Sequence, residues 1–122
     1  MKSVIIDTSS ILFGISKKVD VFRKIDYLFP GARIILPSGV VRELRGLKLS
    51  KGKNSRHAAY ALTIIEGKGI RATESWGKVD DWITNNAQPN RQVVCTNDIG
   101  LKRRLRAKGV RVVSLSVGGS LR

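Results

Sequence analysis

Nine carboxylate side chains occur among 122 residues that carry 23 lysines and arginines, and five of the nine fall where an α/β fold places its chemistry. Asp7 ends the apolar run Val4-Ile5-Ile6, and Asp98 follows Gln92-Val93-Val94-Cys95 by way of Thr96-Asn97. Glu43 and the pair Asp80-Asp81 lie in stretches with helical spacing. Carboxylates gathered within about 4–6 Å repel, and one of them is then forced to hold a proton near neutrality. A Mg²⁺ or Mn²⁺ ion removes that conflict, because hard cations take carboxylate and water oxygens. Such an ion polarises a phosphoryl oxygen and activates water, which is the chemistry of phosphodiester cleavage. The net charge of +14 points to a polyanion as the molecule brought to it.

Each acid also has a plainer reading. Asp7 and Asp98 can cap helices, with Asn97 as a rival cap. Asp80 and Asp81 suit the first turn of a helix, whose dipole favours negative charge. Glu43, between Arg42 and Arg45, can be half of a surface ion pair. Coincidence at one end of one sheet is harder to reach by chance than any single cap. Other chemistries lack their residues. His57 is the sole histidine and Cys95 the sole cysteine, so a triad, a disulfide framework and a cysteine-based zinc site find no support. Neither GxxxxGK nor GxGxxG after a strand is present. A phosphate-accepting receiver domain wants an acid pair after the first strand, where Asp7 stands alone. Trp76 and Trp82 read as core or interface rings, not as a platform for stacked bases.

The elements that must position these acids follow from hydrophobic patterning. Strands are expected at 3–7, 33–36, 70–73, 92–95 and 110–115; the β-branched, unalternated first run suits a parallel sheet covered on both faces. Between them come a short helical stretch around 11–13 broken near Gly14, and a helix at 21–29 stopped by Pro30-Gly31. A third helix starts at Pro37-Ser38 with Val40, Val41, Leu44 and Leu47 inward. A mobile basic loop is expected over 48–55. Then come a long helix with Ala58, Ala61, Leu62 and Ile65 inside, and helices at 79–87 and 99–108. Alternating strands and helices predict a three-layer α/β sandwich with right-handed crossovers. In the order 3-2-1-4-5, strands 1 and 4 flank the reversal where such sheets bind ligands, and Asp7 and Asp98 are the first acids past them. One domain is expected over 1–116, with 117–122 as a flexible tail.

Two basic groups adjoin the acids. Arg42, Arg45, Lys48, Lys51, Lys53 and Arg56 surround Glu43 and the loop after it. Lys102, Arg103, Arg104, Arg106, Lys108 and Arg111 start one turn beyond Asp98. A nucleic-acid backbone lying between them would set its phosphates over the cation. Aromatic residues make up 6% of the chain, so recognition should lean on backbone and shape. Apolar runs fall far short of the roughly 20 residues of a membrane helix, and the early Asp7 breaks any secretory core. A reduced cytosolic setting is expected.

Taken in order, Ile5-Ile6-Asp7-Thr8-Ser9, Pro37 through Val40 to Glu43-Leu44, Asp80-Asp81-Trp82-Ile83 and Thr96-Asn97-Asp98 resemble the PIN-domain ribonuclease family across nearly the whole chain. The resemblance implies a five-stranded parallel sheet in the order 3-2-1-4-5 and Mg²⁺- or Mn²⁺-dependent cleavage of RNA. It places Asp7, Glu43 and Asp98 at matching positions, Thr96 at the supporting hydroxyl, and Asp80 as the third-motif acid, with Asp81 beside it as a further candidate. The run Thr96-Asn97-Asp98 followed by Leu101-Lys102-Arg103-Arg104-Leu105 is closer to the rRNA-processing branch. Toxins of the VapC type commonly carry another acid soon after the matching aspartate, where Ile99-Gly100-Leu101 offers none. The expectation is a metal-dependent endoribonuclease; the alternatives are a non-catalytic RNA-binding or assembly module and a VapC-type toxin. RNA is the expected partner. A homodimer and an antitoxin-like or ribosome-assembly protein partner stay open.

Overall fold

The computed structural model describes residues 2–122. In chain order the elements are β1 (Ser3–Ile6), α1 (Thr8–Ser16), α2 (Val21–Leu28), β2 (Arg33–Pro37), α3 (Ser38–Leu49), α4 (Lys53–Gly67), β3 (Ala72–Thr73), α5 (Val79–Asn86), β4 (Gln92–Cys95), α6 (Ile99–Ala107) and β5 (Arg111–Val113). All pairings in the sheet are parallel, and the strand order among the described residues is β3-β2-β1-β4-β5. This is the expected α/β three-layer architecture. The central strands are β1 and β4, in register from Ser3↔Gln92 to Ile6↔Cys95. Val4, Ile5, Ile6, Val93, Val94 and Cys95 are all buried, as strands covered on both faces require. Helices close the layers with Ile11, Phe22, Ile25, Val40, Leu44, Ile83, Leu101 and Leu105.

Several local expectations are corrected. Gly14 does not break α1: a Cβ there would lie 2.7 Å from the Val19 carbonyl oxygen, so the missing side chain lets the following turn fold back against the helix. The loop over 48–55 shrinks to a bend between α3 and α4. Ser50 Oγ donates to the Leu47 carbonyl, Ser55 Oγ donates to that of Lys48, and Gly52 at φ 110° supplies the turn. Residues 117–122 are not a loose tail. Leu121 is buried and bridges Leu115 antiparallel, while Ser114 and Arg122 exchange both backbone hydrogen bonds, so apolar burial and pairing hold the end down. Trp76 lies outside the core at 68% exposure, whereas Trp82 packs partly against it. Among the described residues no helix is long and apolar enough to cross a membrane.

Candidate active site

Asp7 leaves the C-terminal end of β1 and Asp98 lies just beyond β4, at the reversal of strand order. Asp7 is 4% exposed yet pairs with no cation among the described residues. Two matched relays hold it instead. The Thr96 hydroxyl donates to Asp7 Oδ2 at 2.7 Å and accepts the Asp98 N–H at 3.0 Å. The Ser9 hydroxyl donates to the same oxygen at 2.8 Å and accepts the Asn97 N–H at 3.0 Å. Both hydroxyl protons go to one carboxylate oxygen, and donor chains ending on a charge strengthen one another. Asp7 Oδ1 is left without a donor among the described residues. Asp98 is divided likewise: Oδ1 accepts the Leu101 N–H at 2.9 Å and caps α6, and Oδ2 takes no hydrogen bond among the described residues. The capping role foreseen for Asp98 is therefore real, and it occupies one oxygen of two. Asn97 does not compete for the cap, because its amide grips the Leu115 backbone in both directions.

The opposite wall comes from α3 and α5. Glu43 lies one turn into α3, and Asp80 in the first turn of α5. These helices are joined at their starts. Ser75 Oγ accepts the Gly39 N–H at 2.8 Å, giving α3 the cap that Pro37 cannot supply, and Ser38 Oγ accepts the Ser75 N–H at 2.9 Å. A Cβ on Gly39 would stand 2.9 Å from Val79 Cγ2, so glycine is what permits this approach. Arg42 completes the clamp, donating to the Ser75 carbonyl at 2.9 Å and to Ser38 Oγ at 3.1 Å.

Asp7, Glu43, Asp80 and Asp98 line one pocket of about 740 Å³, together with Thr8, Ser9, Arg42 and Lys78. Its charge is unresolved by the protein itself. Partial withdrawal from water raises the Glu43 carboxyl above its ordinary value, Asp7 and Asp80 push it further, and the nearby Thr8 hydroxyl opposes without completing a hydrogen bond. Asp80 is raised by desolvation first, then by Asp7 and Asp98, with Arg104 opposing. Asp81 is engaged elsewhere, since it pairs with Arg104 at 2.9 Å and is absent from the pocket lining.

As the side chains stand, no group of three acids among the described residues converges closely enough to chelate an ion. The donor set nevertheless suits a hard cation: four carboxylates around a shared pocket, each with at least one oxygen that takes no hydrogen bond among the described residues. Thr8 Oγ1 lines that pocket, buried and without a partner, a rare condition for a native hydroxyl and one that a bound water or ion shell would relieve.

The basic groups are partly committed elsewhere. Arg42 is held by the clamp, Arg104 by Asp81, and Lys108 by the Thr84 and Ala87 carbonyls at the end of α5. Arg45, Lys48, Lys51, Lys53, Arg56, Arg103 and Arg106 are exposed, Lys102 is half-buried, and none has a carboxylate partner among the described residues. Sequence reasoning missed the clamp serine Ser75, the orphan Thr8, the relay role of Ser9 and the pocket residue Lys78. Ser9 had a signal in its place two residues after Asp7; Ser75 had none.

A family model described as "PIN like domain" matches residues 4–117. Among solved structures, the PIN domain endonuclease Utp24 is 28% identical with a TM-score of 0.75, covering 93% of this chain and 85% of that one. DNA-bound VapBC from Salmonella typhimurium is 20% identical with a TM-score of 0.61, covering 93% and 98%. VapBC-1 from nontypeable Haemophilus influenzae is 10% identical with a TM-score of 0.51, covering 89% and 95%; both show likeness of fold. No curated protein matches the sequence.

Proposed function

The chain belongs to the PIN-like domain family, whose members include nucleases, and from that premise we propose that it is a Mg²⁺- or Mn²⁺-dependent endoribonuclease. The observation that carries the reading is the gathering of Asp7, Glu43, Asp80 and Asp98 around one pocket at the switch point of the sheet. Asp7, Asp80 and Asp98 would hold the ion, and Glu43 would hold it or orient water beside it, with Asp81 kept for Arg104. When bound, the ion supplies charge neutralisation and polarises the scissile phosphate. Thr96 and Ser9 fix Asp7 so that its free oxygen faces one way. In hydrolysis the oxygen of water bonds to phosphorus as a ribose oxygen leaves. Arg45, Lys48, Lys51, Lys53 and Arg56 on one side, and Lys102, Arg103 and Arg106 on the other, bind the RNA backbone. Arg42 and Arg104 serve it through the segments they hold.

Ribosomal RNA is the favoured substrate class. Support comes from the run Thr96-Asn97-Asp98 followed by Leu101-Lys102-Arg103-Arg104-Leu105, which resembles the rRNA-processing branch, and from the lack of a further acid directly after Asp98. Asp7→Asn keeps the shape and removes the charge, so it should abolish Mn²⁺-dependent cleavage while RNA binding stays equal or tightens. Retained cleavage in a clean preparation refutes the assignment. Calorimetry showing no Mn²⁺ uptake by the unsubstituted protein would reduce it to a non-catalytic RNA-binding module.

A further inference from the structure

We propose that a second cavity, beside the four-acid pocket, is a subsite for one unpaired nucleotide of the RNA; this rests on the nuclease reading above. The cavity measures about 410 Å³ and shares Ser9 and Leu12 with the acidic pocket, so the two form neighbouring stations for one chain. Its volume lies in the range of about 300–1,000 Å³ usual for small-ligand sites. Leu12 and Phe13 of α1 supply an apolar wall, and Lys53, Asn54 and His57 supply the facing polar wall from the first turns of α4.

The polar groups divide by whether the fold already uses them. Ser9 is spent on Asp7 and Asn97 on Leu115. The Asn54 amide and the His57 imidazole make no hydrogen bond to the protein among the described residues, although His57 is half-buried. An amide offers a donor and an acceptor side by side, and neutral imidazole offers one of each, which is what the edge of a base requires. Lys53 stands one helical turn from His57 on the same face and has no carboxylate partner among the described residues, so its charge remains for a phosphate. Apolar wall, free amide, free imidazole and free ammonium together match a nucleotide better than they match a bare anion or an apolar peptide.

The test uses the Asp7→Asn chain, so that binding is read without cleavage. His57 is the only histidine, and its ring Cε1 proton therefore gives a single imidazole resonance. A short single-stranded oligoribonucleotide should shift that resonance well beyond the small change given by inorganic phosphate or an abasic oligomer of the same length, which reach Lys53 alone. Asn54→Ala and His57→Gln, made separately so that one folding failure does not silence the experiment, should weaken oligoribonucleotide binding about tenfold, the scale of one lost base contact. Binding of the abasic oligomer should not change. An equal shift with phosphate alone, or full affinity in both variants, overturns the subsite. A shift in His57 with no cleavage by the unsubstituted protein would keep the subsite and sink the nuclease.

Discussion

Thr96→Val probes the double relay on Asp7 with almost no change of shape. The position is 0% exposed, and valine fills it, so the perturbation is one hydroxyl. That hydroxyl donates to Asp7 Oδ2 at 2.7 Å and accepts the Asp98 N–H at 3.0 Å. A hydrogen bond to a charged group contributes about 1.5–3 kcal/mol, and a buried amide left without a partner costs about 1–3 kcal/mol. Ser9 keeps its own bond to Oδ2, which holds the carboxylate and brings the sum to about 3 kcal/mol. For a chain of 122 residues that loss lowers the melting temperature by about 10 °C. Thr96→Ser keeps the hydroxyl, loses a methyl group and should cost about 1 kcal/mol. Urea unfolding at pH 7 of the three proteins decides it. If Thr96→Val unfolds no more readily than Thr96→Ser, the relay is not what holds Asp7, and the account of the site loses its anchor.

Raised carboxyls give the folded chain tighter protons than the unfolded chain at Glu43 and Asp80. Their contribution to stability is whole below about pH 4 and is lost as pH climbs through the raised values. Asp80→Asn should therefore gain on the unsubstituted protein in melts run from pH 4 to pH 7. Adding Mn²⁺ at pH 7 should reverse the order, by about 2.7 kcal/mol at a hundredfold excess over the dissociation constant. Arg103→Ala should lower the log–log salt slope of single-strand RNA binding by about 0.7. Arg104→Ala, whose charge already serves Asp81, should lower it by less. Deleting residues 117–122 removes the buried Leu121 and should cost about 2–3 kcal/mol in urea unfolding, where a free tail would cost nothing.

The sheet was legible because its central strands are short β-branched runs with one neighbouring interpretation, and the order followed from the family resemblance. Asp7, Asp98, Glu43 and Asp80 were legible for a related reason: each sits at a fixed offset from an apolar run. Serines carried less. Ser75 caps a helix 36 residues away in sequence, and a contact of that kind leaves no periodic trace along the chain. Gly14 read as a break because glycine usually serves the backbone, whereas here it serves packing against Val19. The tail read as loose because Gly118-Gly119 masks the apolar grip of Leu121, which depends on a partner, Leu115, that only folding brings near. Asp81 and Asp80 look alike in sequence; the helix turns one toward the pocket and the other toward Arg104.

The serine clamp between Ser38, Gly39 and Ser75 makes Glu43 and Asp80 travel together, just as Thr96 ties Asp7 to the segment bearing Asp98. The mouth of the protein is thus a pair of jaws, each bearing two teeth, and the ion proposed above would be gripped across the spacing between them. A side chain added at Gly39, which lines the same pocket and meets Val79 and Ser75, would disturb the placement of both Glu43 and Asp80, so its effects will not add to those of Glu43 or Asp80 substitutions.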